Sequence, residues 1–135
     1  MISHVSSGGN GQQTPLTVSR RPGGLAVITV ACELDMLTVP AFEQVLAEQA
    51  RTGPGALIID LSQCHFMGSS GLAALVEAHD RGRRGGSPLA LAGMTRSVAR
   101  GMEITGLNSV FALYPSAEAA VAALCEGRSP EPQAP

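Results

Sequence analysis

The stretch HFMGSSGLAALVEAHD, residues 65–80, sets two hydroxyls side by side between two glycines. Ser69 and Ser70 could serve as a nucleophile, as a phosphoryl acceptor, or as the cap of the apolar repeat that follows. A capping serine accepts a hydrogen bond from a free N–H in the first helical turn, and Gly68 and Gly71 let the backbone turn tightly beside it. The same geometry suits a modified serine. A helix N-terminus stabilises anions through its free N–H groups and its dipole, and a phosphate adds about −1.5 to −2 charges. On a nearly neutral surface that charge would repel a partner packed there. Spacing alone leaves both readings open.

Nucleophilic catalysis fits the residues less well. The nucleophile elbow of hydrolases is G-x-S-x-G, whereas the order here is Gly68-Ser69-Ser70-Gly71. An activating base is also needed. His65 lies in an extended segment, and His79 falls on the core face of the following helix. Glu33 and Asp35 lack a partner for general acid–base work. They read either as solvated loop residues or as a small acidic contact patch beside the serine loop. All nine cationic side chains are Arg. Without lysine there is no GxxxxGK phosphate loop, no Schiff base and no receiver-type phospho-aspartate site. Cys32, Cys64 and Cys125 form no CxxC and, with His4, His65 and His79, no metal-ligand spacing. They read as buried or half-buried free thiols of a reducing compartment. No metal and no cofactor is expected.

The elements that must position these residues follow from apolar periodicity. LTVS (16–19) is a short strand and RRPGG (20–24) a turn. LAVITVAC (25–32), ALIID (56–60) and PLALAG (88–93) are nearly continuous apolar runs, as strands buried on both faces require. VFALY (110–114) is a last strand. Between them fall helical stretches. From Val39 to about Ala50, Val39, Phe42, Val45 and Leu46 share one face, with Thr38 as N-cap and Pro40 in the first turn. After the serines, Leu72, Leu75, Val76 and His79 share a face, and Glu77 and Arg81 form an i,i+4 pair. Residues 94–106 give a short helix with Val98, Met102 and Thr105 inward. Residues 116–126 give another, capped by Ser116, with Ala117, Ala120, Val121 and Leu124 on one side.

Strands alternating with helices imply right-handed βαβ units and a mostly parallel sheet, which the first strand makes mixed by pairing through the PGG turn. The expected fold is α/β, with about five strands and about four helices. Sites in such sheets gather beyond the carboxyl ends of the strands. The loops ELDMLT, HFMGSS and GMTRS fall there.

The chain has 135 residues and a net charge of −2, one domain's worth. Residues 16–126 are the folded part. Residues 1–15 and 127–135 read as disordered tails, rich in Ser, Gly and Gln or in Pro. No basic face offers itself to nucleic acid, and one tyrosine with no tryptophan makes a poor base-stacking platform. There is no secretory pattern and no apolar run near the ~18 residues of a membrane span, so the chain reads as cytoplasmic, with no nucleic-acid or membrane partner.

Three segments carry a family pattern. ACELDMLTVPAFEQVL resembles the G-E-L-D segment and following helix of STAS domains. LIIDLSQCHFMGSSGLAALVEA resembles their D-L-(x4)-F-(M/I)-D-S-S-G-L core. GMTRSVARGMEITGLNSVFALY is similar to their later helix-strand region, with I-T-G-L matching S/T-G-L. The similarity runs in order over residues 16–126, and the subgroup it resembles is the bacterial anti-sigma factor antagonists.

The resemblance implies the STAS fold and a non-enzymatic partner-switching role. In that family the unphosphorylated antagonist binds an anti-sigma factor, itself a serine kinase of the histidine-kinase-like ATPase fold, and so releases the sigma factor. Phosphorylation of one serine breaks the complex, and a PP2C-type phosphatase restores it. Carried over by position, that serine is Ser69, with Ser70 as the alternative. Asp35 and the loop Met67, Gly68, Ser69, Ser70 and Gly71 would contact the partner, flanked by Met94, Thr95 and Arg96. Two positions depart from the pattern. Cys32 replaces the usual Gly before Glu-Leu-Asp, a packing change. Gly68 replaces the usual Asp, and with it a carboxylate that orients the target hydroxyl and helps a kinase recognise the loop. The alternative is a STAS module without the switch, which senses a ligand or scaffolds a complex.

Overall fold

The computed structural model describes residues 2–4 and 15–132. In chain order the strands are β1 (Ile2–His4), β2 (Leu16–Arg21), β3 (Leu25–Val30), β4 (Ala56–Asp60), β5 (Leu89–Ala92) and β6 (Ala112–Tyr114). The helices are α1 (Val39–Thr52), α2 (Ser69–Arg83), α3 (Arg96–Thr105) and α4 (Ala117–Leu124), with a 3-10 turn at Leu107–Ser109. The strands lie side by side in chain order. β2 and β3 pair antiparallel across the Pro22–Gly24 turn, while β3, β4, β5 and β6 run parallel.

The expected strands and helices are all present, and β1 is an addition. Ile2–His4 falls in the segment expected to be a disordered tail, but pairs antiparallel with β2. The edge of β2 would otherwise leave a row of peptide groups unpaired, which an added strand satisfies. Residues 1, 5–14 and 133–135, the rest of the expected tails apart from 15 and 127–132, lie outside the described residues.

Parallel strands laid down in one direction, each joined by a right-handed crossover, put all the connecting helices on one face. The core divides accordingly. Ala26, Ile28, Leu57, Ile59, Leu89 and Leu91 point to the face covered by α1, α2 and α3, where Phe42, Leu75 and Met102 are fully buried. The alternate residues Leu25, Val27, Ala56, Ile58, Ala90 and Ala92 face α4, which buries Ala120 and Leu124 against them. The period of two along each strand explains the division. Ser116 caps α4 as expected, accepting the Ala119 N–H at 3.0 Å.

Three expectations are corrected. α3 begins at Arg96 rather than Met94, because Thr95 stays extended. Thr105, expected inward, is exposed, and its hydroxyl donates back to the Gly101 carbonyl at 2.8 Å. β6 begins at Ala112, because the 3-10 turn leaves Val110 in the helical region of φ/ψ and sends Phe111 into the core.

Candidate functional site

The loops after β3, β4 and β5 meet at the carboxyl end of the sheet. Beyond the last strand pairs, Leu34 and Met67 form a further parallel bridge. Its bonds run from Leu34 N–H to the Phe66 carbonyl at 3.0 Å, and from Gly68 N–H to the Leu34 carbonyl at 2.9 Å. The two loops are thereby fastened to each other just before α1 and α2 begin. The third loop joins through side chains. Thr95 donates to the Cys64 carbonyl at 2.9 Å and Ser97 to the His65 carbonyl at 2.6 Å.

The bridge decides where α2 starts. With its N–H held by Leu34, Gly68 stays extended at φ −81° and ψ −178° and becomes the N-cap, its carbonyl accepting from Leu72 N–H at 3.1 Å. Ser69 and Ser70 therefore fill the first turn, and neither is the cap that residue type suggested. No side chain caps α2. Ser69 is exposed and Ser70 half-buried. Gly71, one turn in, is buried against the bridge. A methyl there would lie 2.7 Å from Met67 Cγ and 2.9 Å from Leu34 Cβ.

Asp35 organises the neighbouring loop. Its Oδ1 accepts from Leu37 N–H at 2.9 Å and Thr38 N–H at 3.1 Å, and its carbonyl accepts from Val39 N–H at 2.9 Å. Thr38, expected as the cap of α1, makes no capping bond. Its hydroxyl instead accepts from Asp35 N–H at 3.0 Å and donates to the Glu33 carbonyl. A carboxylate bonded to backbone amides two and three residues on is a local turn device. Asp35 is thus a turn-forming residue, a role not among those its sequence suggested, while Glu33 stands exposed.

Asp35, Met67, Gly68, Ser69, Ser70, Gly71, Met94, Thr95 and Arg96, the candidate residues of the sequence, all lie on these three loops or the helix starts they feed. Their roles differ. Met94 packs half-buried against the core, Thr95 pins the Cys64 loop, and Arg96 is exposed. Three residues were missed. Ser97 holds His65, and Met36 and Leu37 stand out from the Asp35 turn. The signal for the last two was an apolar pair placed ahead of the α1 periodicity, which starts only at Val39.

Beneath the site lie two thiols. Cys64 is buried and Cys32 half-buried. Burial pushes the Cys64 thiol up, against hydrogen bonds from the backbone of Phe66 and Leu34 that favour the thiolate. Burial also raises Cys32, helped by nearby Cys64, Asp35 and Glu33. Thiols held protonated are weak nucleophiles. The histidines are placed apart from the serines. His79 stacks edge-on against Phe111 at 5.3 Å, ten residues and about 15 Å along α2 from Ser69. His65 is exposed and touches the site through its carbonyl. Among the described residues no side-chain base contacts either serine, as a hydrolase would require. Among the described residues no three His, Cys, Asp or Glu side chains converge as a metal site, and no helix is long and apolar enough to cross a membrane.

Residues 17–120 match the STAS domain family. The chain is 31% identical over 107 residues to the anti-sigma-F factor antagonist RsfB of Mycobacterium tuberculosis, covering 78% of this chain and 85% of that one. It is similar to the crystal structure of an anti-sigma factor antagonist from Mycobacterium paratuberculosis, with a TM-score of 0.72 and 33% identity over 81% of this chain and 92% of that one. The Bacillus protein SpoIIAA shares the fold in both its unphosphorylated and phosphorylated forms. The TM-scores are 0.69 and 0.64, at 17% and 16% identity, over 81% of this chain and 95% and 98% of those.

Proposed function

The chain belongs to the STAS domain family, and from that premise we propose that it is an anti-sigma factor antagonist switched at Ser69. Unphosphorylated, it binds an anti-sigma factor in the cytoplasm and frees the sigma factor. The anti-sigma factor, a serine kinase of the histidine-kinase-like ATPase fold, transfers a phosphoryl group to Ser69 Oγ and ends the complex. A PP2C-type phosphatase removes it. The chain works by binding and does no chemistry of its own.

One observation carries this reading: Ser69 is exposed in the first turn of an uncapped helix. Its hydroxyl is open to a kinase. Phosphate added there sits near free N–H groups and the positive end of the dipole. The partner would meet two new negative charges where it met a hydroxyl. That relatives of this chain are named antagonists of anti-sigma factors, and that SpoIIAA is known in a phosphorylated form, supports the same reading.

Gly68 favours a second reading, a module that binds without the switch. With hydrogen in place of a carboxylate, nothing beside Ser69 orients its hydroxyl. Intact mass after incubation with ATP and the organism's purified anti-sigma factors separates the two. The switch predicts one added phosphate, absent in Ser69→Ala. Retained binding with no added mass would support the scaffold instead.

A further inference from the structure

Among the described residues four large apolar side chains stand exposed, and three of them, Met36, Leu37 and Phe66, border the serine loop. Met36 is 81% exposed and Leu37 89%. Their exposure is built in rather than slack. Asp35 Oδ1 holds the Leu37 and Thr38 amides, Thr38 Oγ1 holds the Asp35 amide, and Leu34 behind them is fully buried. The turn therefore presents two large apolar groups to water from a backbone tied at both ends. Among the described residues nothing packs over them. An anchor ordered in advance loses little backbone freedom on docking, and such anchors carry most of the affinity of an interface.

We propose that Met36 and Leu37 are the anchors by which this chain docks an anti-sigma factor, entering an apolar socket rimmed by basic groups. The inference rests on the function proposed above and names the side chains that supply its affinity. The basic rim follows from charge. Glu33 is exposed and Asp35 half-buried beside the pair. A two-fold contact between copies of this chain would set these carboxylates against each other, and like charges facing each other are costly. Area points the same way. Three side chains fall well short of the ~800 Å² per partner of a stable complex. The contact must therefore run on beyond the pair, and the Leu34–Met67 bridge joins their loop to the serine loop. Anchor and phosphosite then share one interface, in which the apolar pair gives strength and Ser69 gives control.

The test uses the full-length chain, the double variant Met36→Ser/Leu37→Ser, and Ile104→Ser as a control. Ile104 is 75% exposed but lies at the far end of α3. Each is titrated calorimetrically against purified anti-sigma factors of the source organism, with circular dichroism and melting recorded alongside. Expected is binding by the wild type and by Ile104→Ser alike. The double variant, melting as the wild type does, should be weaker by about 100-fold, the loss of a hot-spot pair. A double variant within about threefold of wild type overturns the anchors and leaves the antagonist function standing. Failure of the wild type to bind any anti-sigma factor overturns both. A chain that sediments as a dimer and becomes monomeric in the double variant assigns the pair to self-association and overturns the proposal.

Discussion

Gly71 lies against Leu34 so closely that a Cβ on it would come within 2.9 Å of the Leu34 Cβ. This contact lets the first turn of α2 rest on the bridge between the two site loops. The position of Ser69, two residues earlier, depends on it.

Gly71→Ala should therefore cost stability and disturb the site together. The added methyl also meets Met67 Cγ at 2.7 Å. Overpacking of this kind costs about 1–3 kcal/mol. Urea unfolding checks the magnitude. Unchanged stability would mean that the loops yield freely.

Gly68→Asp should be accommodated. The nearest atom to a Cβ there is Phe66 Cε2 at 3.5 Å, an ordinary contact. The extended backbone suits an N-cap, where Asp exceeds Gly by a few tenths of a kcal/mol. The melting temperature should hold or rise slightly, and phosphorylation of Ser69 should quicken as its hydroxyl gains a carboxylate neighbour. A time course of intact mass with kinase and ATP reads the second effect. An unchanged rate would show that the acid is dispensable.

Ser69→Asp should weaken binding to the anti-sigma factor at least tenfold, about 1.4 kcal/mol, while Ser69→Ala keeps the wild-type affinity. Calorimetry on both decides it. Equal affinities would remove the serine loop from the interface.

The third loop is tied on by two hydroxyls, Thr95 to Cys64 and Ser97 to His65. Thr95→Val combined with Ser97→Ala should cost about 0.5–1.5 kcal/mol per bond. Amide hydrogen exchange should rise at residues 64–68 more than in the β3–β4 ladder. A uniform rise would mean general destabilisation instead.

Cys32 and Cys64 give a pH signature. Both thiols are raised above the ordinary 9.0, so the folded chain keeps their protons longer than the unfolded chain does. Their contribution is complete well below pH 9 and is lost as the unfolded thiols ionise above it. Melting temperature should fall as pH climbs through that range, and less steeply in Cys64→Ala. Iodoacetamide at pH 8 should reach Cys64 only after denaturation. Rapid labelling of the native protein would contradict its burial.

Much of this was legible in the sequence. LAVITV, ALIID and LALA are apolar along their whole length because helices cover both faces of the sheet, and no tertiary knowledge was needed to see it. The helix starts were less legible. Residue type put a cap at Thr38 and at the serines, but Thr38 is drawn to Asp35 and Glu33, and Gly68 is fixed by Leu34 from another loop. Thr38 does stand at the N-cap position of α1, but its hydroxyl is taken up within its own turn, whereas the start of α2 is set by a segment distant in sequence. Met36 and Leu37 were legible only as members of the site loop ELDMLT, since residue type does not show that the Asp35 turn lifts them into water.

The order of the strands has one more consequence. Each strand pairs only with the ones made just before and just after it. During synthesis the sheet can grow from one edge, each new strand and its crossover helix settling on the strand before it, while the opposite face of the sheet waits for α4. All three site loops precede Gly106, so the loop cluster proposed to meet a partner can form while β6 and α4 are still emerging from the ribosome.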